Sequence, residues 1–220
     1  MKRVVLPLAL AAVAMAMAPR VGTAQLVGMP VWNSPRGGTG VLVAGDVGLP
    51  DSLSGKGSTI AARVALGLRA VTLSATAGIR NPSGPGSNIT EYGGTAAYRL
   101  VGGSLIPISI NLQGGASSFK DSLSSNTRVT AALGFALDLP VPGITLEPWV
   151  APGVRMNHRG AGGTLASQTN TEFGVAGGVT LGFGMFGLHA GVDYENRPGG
   201  GHTTTLGIGA HVDIRPSLGL

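Results

Sequence analysis

The feature that most constrains this chain is a period of two. In residues 71–80, VTLSATAGIR, Val71, Leu73, Ala75, Ala77 and Ile79 are apolar, and Thr72, Ser74, Thr76, Gly78 and Arg80 between them are polar or small. Successive side chains of a strand point to opposite faces, so this spacing gives a strand with one apolar and one polar face. The pattern recurs at Ile60, Ala62, Val64 and Leu66, and at Ile106, Ile108, Ile110 and Leu112. It returns at Val129 to Leu137, at Phe173 to Phe183, at Phe186 to Tyr194 and at Leu206 to Ile214. About ten such segments can be drawn, and a helical spacing fits none of them well.

The connections alternate in length. LPDSLSGKGS, NPSGPGSN, SSFKDSLSSN and NHRGAGGTLASQTN are long, whereas GLR, VGG, LPVPG and GM are short, and NRPGGG closes a last hairpin. An up-and-down meander with tight turns at one end and longer loops at the other produces this rhythm. Pro107, Pro148 and Pro152 interrupt it, because proline cannot donate to a ladder. A bulge is therefore expected in LEPWVAP, where Trp149 also falls on the polar face.

The first residues set the compartment. Lys2 and Arg3 precede the apolar run VVLPLALAAVAMAMA, and VGTAQ follows with Gly22 and Ala24 at the positions a signal peptidase reads. Residues 1–24 are read as a signal peptide and the mature chain as starting at Gln25. The apolar run is too short to cross a bilayer, which takes about 20 residues. Lys2, Arg3 and Arg20 leave with the signal, so 12 basic residues then face 10 acidic ones, a net charge of +2. No basic run survives, which argues against a nucleic-acid partner. Cysteine is absent.

The signal peptide, the alternation of segments such as VTLSATAGIR and the loop rhythm together resemble the small bacterial outer-membrane β-barrel proteins. The resemblance runs over roughly residues 39–215. It implies an all-β, up-and-down antiparallel transmembrane barrel of about ten strands, with eight as the alternative even count. It also implies an outer-membrane location and outer-membrane lipid, export machinery and barrel-insertion machinery as partners. Residues 25–38 are then an irregular periplasmic lead-in and 39–220 the barrel domain. One departure is the end, HVDIRPSLGL, which lacks a terminal aromatic residue.

Three features put the apolar face outward, against lipid. Charged residues are only 11% of the chain, and the mature part has just two lysines, Lys56 and Lys120, both in expected loops. The polar face is built from small residues with isolated charges of both signs, as a narrow interior requires. Those expected in the lumen, as a structural network, are Asp46, Arg63, Arg99, Arg128, Glu147, Arg155, Glu172, His189, Asp193, His211 and Asp213. On the apolar face, Tyr92, Phe173 and Tyr194 stand by long loops, and Tyr98, Phe135, Phe183 and Phe186 by short turns. This is the arrangement of two interfacial belts.

Chemistry is scarce. Gly182-Phe183-Gly184-Met185-Phe186-Gly187 has dinucleotide spacing, but a strand pattern follows where that site needs a helix. SGKGST at 54–59 lacks P-loop spacing. His189 and His211 become diagonal neighbours if the last hairpin pairs around NRPGGG, and with Asp193 or Asp213 they could form a general base or a metal site. The reading is a non-enzymatic integral barrel with a structural, adhesive or small-solute permeation role, a largely side-chain-filled lumen, and no cofactor or metal. The alternatives are a barrel hydrolase using His189 and Asp193, and a secreted soluble barrel holding a small apolar ligand.

Overall fold

The computed structural model describes Leu26, Met29 and residues 38–83, 88–103, 106–121, 124–164 and 166–214. Each alternating segment forms a strand: β1 Gly40–Pro50, β2 Gly57–Leu68, β3 Val71–Pro82, β4 Ile89–Gly103, β5 Ile106–Lys120 and β6 Ser125–Leu137. After the three-residue β7, Leu139–Val141, come β8 Ile144–Arg159, β9 Gln168–Phe183, β10 Phe186–Asn196 and β11 His202–Ile214. β7 pairs only with the start of β8, and the barrel wall is made by the ten long strands. Tight turns at Arg69–Ala70, Pro142–Gly143 and Gly184–Met185 mark one end. Gly184 has φ 68°, which its missing side chain permits in so short a link. At the other end, β1, β3, β5, β8 and β10 finish at Pro50, Pro82, Lys120, Arg159 and Asn196, where the longer connections begin.

Every long strand pairs antiparallel with its sequence neighbours, and β1 pairs with β11 from Val41↔Ile214 to Pro50↔Thr205. The sheet therefore closes and has no edge. Its stagger can be followed through the ladder. Asn157 faces Arg128, and successive partners are Ser117, Gly93, Thr76, Arg63, Ala44, His211, Gly187 and Gly182. The circuit returns to β8 at Thr145, 12 residues from where it began. Ten strands with a shear of 12 tilt about 40° from the barrel axis and give a backbone radius of about 10 Å.

Burial is inverted relative to a water-soluble protein. Ile60, Ile208, Leu112 and Leu188 are more than half exposed, whereas Asp46, Glu91 and Arg155 are 2%, 0% and 1% exposed. The polar face of VTLSATAGIR points inward, where Ser74 Oγ lies 2.6 Å from Thr95 Oγ1, and Leu73 and Ile79 point out. So continuous an apolar exterior suits lipid, where a closed ladder leaves no backbone group unpaired. The soluble-barrel alternative, with its apolar face inside, is thereby excluded.

The prolines are accommodated differently from expectation. The β8–β9 ladder runs through Pro148↔Val179 and Pro152↔Val175 without a register change, so LEPWVAP contains no bulge. The ladder from β8 to β6 instead skips from Gly153 to Val150, opposite Ala132 and Phe135, and ends at Trp149. The missing donors thus fall where pairing lapses. The register shifts lie in the β4–β5 ladder instead, between Arg99 and Gly103 on β4 and Ile106 and Asn111 on β5, close to Pro107. Of the stretch 25–38, Leu26 and Met29 are 2% and 3% exposed and pack against Ala61 on the inner face of β2. Residues 1–25, with the expected signal peptide, and 215–220 lie outside the described residues.

Candidate functional site

The inner wall carries two charge clusters at different depths. Toward the turn end, His189 on β10, Gly209 on β11 and Asp46 on β1 are successive ladder partners. Gly209 has no side chain, so the imidazole and carboxylate meet across it, with Nε2 2.5 Å from Oδ1. A Cβ at position 209 would overlap both groups. Arg63 Nε approaches the other oxygen of Asp46 at 3.3 Å. His189 Nδ1 lies 3.1 Å from His211 Nδ1, and the two rings stack with centroids 5.3 Å apart.

The second cluster lies nearer the loops. Arg155 Nη2 is 2.5 Å from Asp193 Oδ1, and its Nη1 donates to the Gly153 carbonyl at 3.1 Å. Arg128 Nη2 lies 2.5 Å from Glu195 Oε2 and 3.5 Å from Asp193 Oδ2. The Asn157 amide donates to both Glu172, at 2.7 Å, and Glu195, at 2.9 Å. Across the lumen, Arg80 Nε is 2.7 Å from Glu91 and its guanidinium sits 4.8 Å from the Phe119 ring centroid. Opposite charges bonded in this way tolerate burial that would be costly singly. Between the clusters, Trp149 packs with Ala136, Ala151 and Ala176 and fills part of the cross-section.

A cavity of about 240 Å³ lies at the loop end of the lumen. Its walls include Arg128, Asn157, Arg159, Glu172, Glu195 and Arg197, and its apolar lining includes Leu26, Met29 and Phe119. Near the loops, Asp51 caps the short 3-10 turn Ser52–Ser54, accepting from Ser54 N at 2.8 Å and from Thr204 N at 2.6 Å. Burial pushes its carboxyl up, but these N–H donors outweigh burial and hold it below the usual aspartate range.

Of the residues expected in the lumen, Asp46, Arg63, Arg128, Glu147, Arg155, His189 and Asp193 are buried, and Arg99, Glu172, His211 and Asp213 are half-buried. Asp46, Arg63, His189 and His211 form one group; Arg128, Arg155, Glu172 and Asp193 belong to the other. The His189–Asp193 pair needed for the hydrolase alternative does not form. Asp193 is bound to Arg155 and Arg128, and four residues along one face of β10 separate it from His189 by about 13 Å. Among the described residues, no set of three His, Asp or Glu is arranged to hold a metal. Tyr92, Tyr98, Phe173, Phe183, Phe186 and Tyr194 are exposed on the outer surface, and Phe135 is half-buried.

Sequence reasoning put Arg80 and Glu195 on polar strand faces but left them, with Glu91, Asn157, Leu26 and Met29, out of the expected network. Arg80 stood in an alternating segment and was legible as inward-facing; ITEYGGTAAY around Glu91 does not alternate cleanly. Leu26 and Met29 were not legible, since QLVGMPVW has no period to follow.

No family model and no curated protein matches the sequence. Among solved structures, Neisserial surface protein A aligns at 14% identity with a TM-score of 0.40, over 80% of this chain and 98% of that one. The N-terminal β-barrel domain of Pseudomonas aeruginosa OprF aligns at 13% identity, TM-score 0.39, over 80% and 98%. The translocator domain of the autotransporter NalP from Neisseria meningitidis aligns at 14%, TM-score 0.42, over 80% and 88%. On its own ladder and its inverted burial, the chain has the architecture of an outer-membrane β-barrel, with ten long strands closed around a charged, polar lumen.

Proposed function

We propose that the chain is an integral outer-membrane barrel with a structural role: a sealed support that holds its longer loops and the cavity beneath them at the cell surface. The observation that carries this reading is the cross-linked lumen. Side-chain bonds reach between strands far apart in sequence, a hydrogen bond from Asp46 to His189 and an ion pair from Arg128 to Glu195. Arg155, the largest of the fully buried side chains, is 1% exposed. A backbone radius of about 10 Å leaves little open space once such side chains project inward. Porins that enclose an aqueous channel have 16–18 strands, whereas an eight-stranded interior is filled by side chains.

The test is reconstitution into planar bilayers. No stable single-channel conductance of nanosiemens size is expected, and the folded protein should migrate differently on SDS gels before and after boiling. A steady conductance of that size would replace the sealed support with an open pore. A chain that folds as a monomer in buffer without detergent or lipid would overturn the membrane placement itself.

A further inference from the structure

The charges around the loop-end cavity are not all matched. Arg128 is held by Asp193 and Glu195, and Arg155 by Asp193. Glu172, by contrast, takes a hydrogen bond from the neutral Asn157 amide, shares another with Glu195, and has Arg197 as its nearby positive charge rather than a bonded partner. Among the described residues it has no ion-pair partner, and neither has Arg159, whose Nη2 makes only a long contact of 3.4 Å to Gln168. Arg159 Nε is buried without an acceptor. Both side chains line the same cavity. Arg159 faces Gln168 across the ladder, four residues from Glu172, so their backbone positions are about 13 Å apart. The cavity therefore offers an acidic group and a basic group, neither of them held in an ion pair, over an apolar lining of Leu26 and Met29.

We propose that this cavity binds a small zwitterionic solute: an α-amino acid, or a molecule of that size with an ammonium and a carboxylate on an apolar frame. The ammonium donates to Glu172 and the adjacent Glu195, and the carboxylate accepts from Arg159. The apolar part rests on Leu26 and Met29. A simple cation would leave Arg159 unmatched, and a simple anion would leave Glu172 unmatched. Specificity here comes from the charge each half-ligand leaves without a partner. The volume of about 240 Å³ is below the range of drug-sized pockets and suits a solute of this size.

The test uses the folded, full mature chain in detergent micelles, checked by its gel shift, and titration calorimetry with three probes. L-leucine carries both charges, leucinamide lacks the carboxylate and 4-methylpentanoate lacks the ammonium. Leucine is expected to bind at least about tenfold more tightly than either half-ligand. Glu172→Gln should weaken leucine toward the level of 4-methylpentanoate, and Arg159→Gln should weaken it toward leucinamide. The three probes on the unaltered protein decide the matter even if a variant fails to fold. Equal affinity for leucine and one half-ligand overturns the proposal, and so does no binding of any probe up to about 10 mM. Neither result touches the membrane reading, whose failure would appear earlier, as the loss of a detergent-dependent fold.

Discussion

Replacing Asp193 by Asn tests whether the lumen is held together by its ion pairs. The side chain keeps its shape and loses its charge. Arg155, 1% exposed, then keeps only neutral acceptors, the Gly153 carbonyl and at best the new amide oxygen, and no counter-charge, while Arg128 keeps Glu195 at 2.5 Å. Removing one partner of a buried pair costs about 3–5 kcal/mol. The neighbouring polar cavity moves this case to the lower end, about 3 kcal/mol, or a little over a hundredfold in the folding constant. Arg155→Met should cost less, about 1–2 kcal/mol, because Asp193 still has Arg128 at 3.5 Å. The double variant leaves no stranded charge and should lie near 2 kcal/mol, giving a coupling of about 2–3 kcal/mol. Equilibrium urea unfolding in lipid vesicles measures all three, with Trp149 in the lumen as the fluorescent reporter. Single costs that add to within about 0.5 kcal/mol would refute the argument, because the two groups would then act independently.

Three further outcomes are expected. Ala75→Arg, on the outer face in the middle of β3, should cost about 2–4 kcal/mol in bilayers, and Ser74→Arg, on the inner face, distinctly less; equal costs in the same vesicle assay would contradict the assignment of faces. Gly209→Ala puts a Cβ between His189 and Asp46 and should destabilise by about 3 kcal/mol, overpacking included, visible as a lower temperature for the gel-mobility shift. For Asp51 the folded pKa lies below the unfolded one, so its contribution is present above the ordinary aspartate range and is lost as pH falls through the folded value. Protection of the Ser54 and Thr204 amides, measured against their intrinsic exchange rates, should therefore fall in acid in the parent but change far less in Asp51→Asn, and an unchanged acid response in that variant would remove Asp51 from the loop's stability.

The architecture was legible because a period of two is a local signal. Val71 to Ile79 and Phe186 to Tyr194 declare a face within a few residues, and the loop rhythm orders the strands. The diagonal approach of His189 and His211 follows from one hairpin, so it too could be read locally. Which lumen groups meet is a different matter. Arg128 and Glu195 are 67 residues apart and join only because strand number and stagger bring their strands to matching heights. No local pattern encodes a stagger of 12. The same holds for Asp46, which reaches His189 on β10 as well as Arg63 on its own hairpin. The LEPWVAP bulge failed for another reason. The prolines direct their missing donors to one neighbour alone, so the ladder can lapse on that side while keeping register on the other.

The seam between β1 and β11 has a consequence for how the molecule comes into being. All the other joins between long strands link neighbours in the chain, and those hairpins can form as soon as both strands have emerged. The pairing of Val41 with Ile214 cannot. Until β11 arrives, the first and last strands present rows of unpaired N–H and C=O groups, which hydrocarbon will not accept and which invite pairing with another chain. Synthesis order therefore dictates assembly order: a hairpin-rich ribbon must be kept from aggregating until its end is delivered, and membrane entry and closure then proceed as one event. A chain truncated before His202 would lose not one-tenth of its stability but the whole transition, and should accumulate as unfolded or aggregated protein on the near side of the membrane.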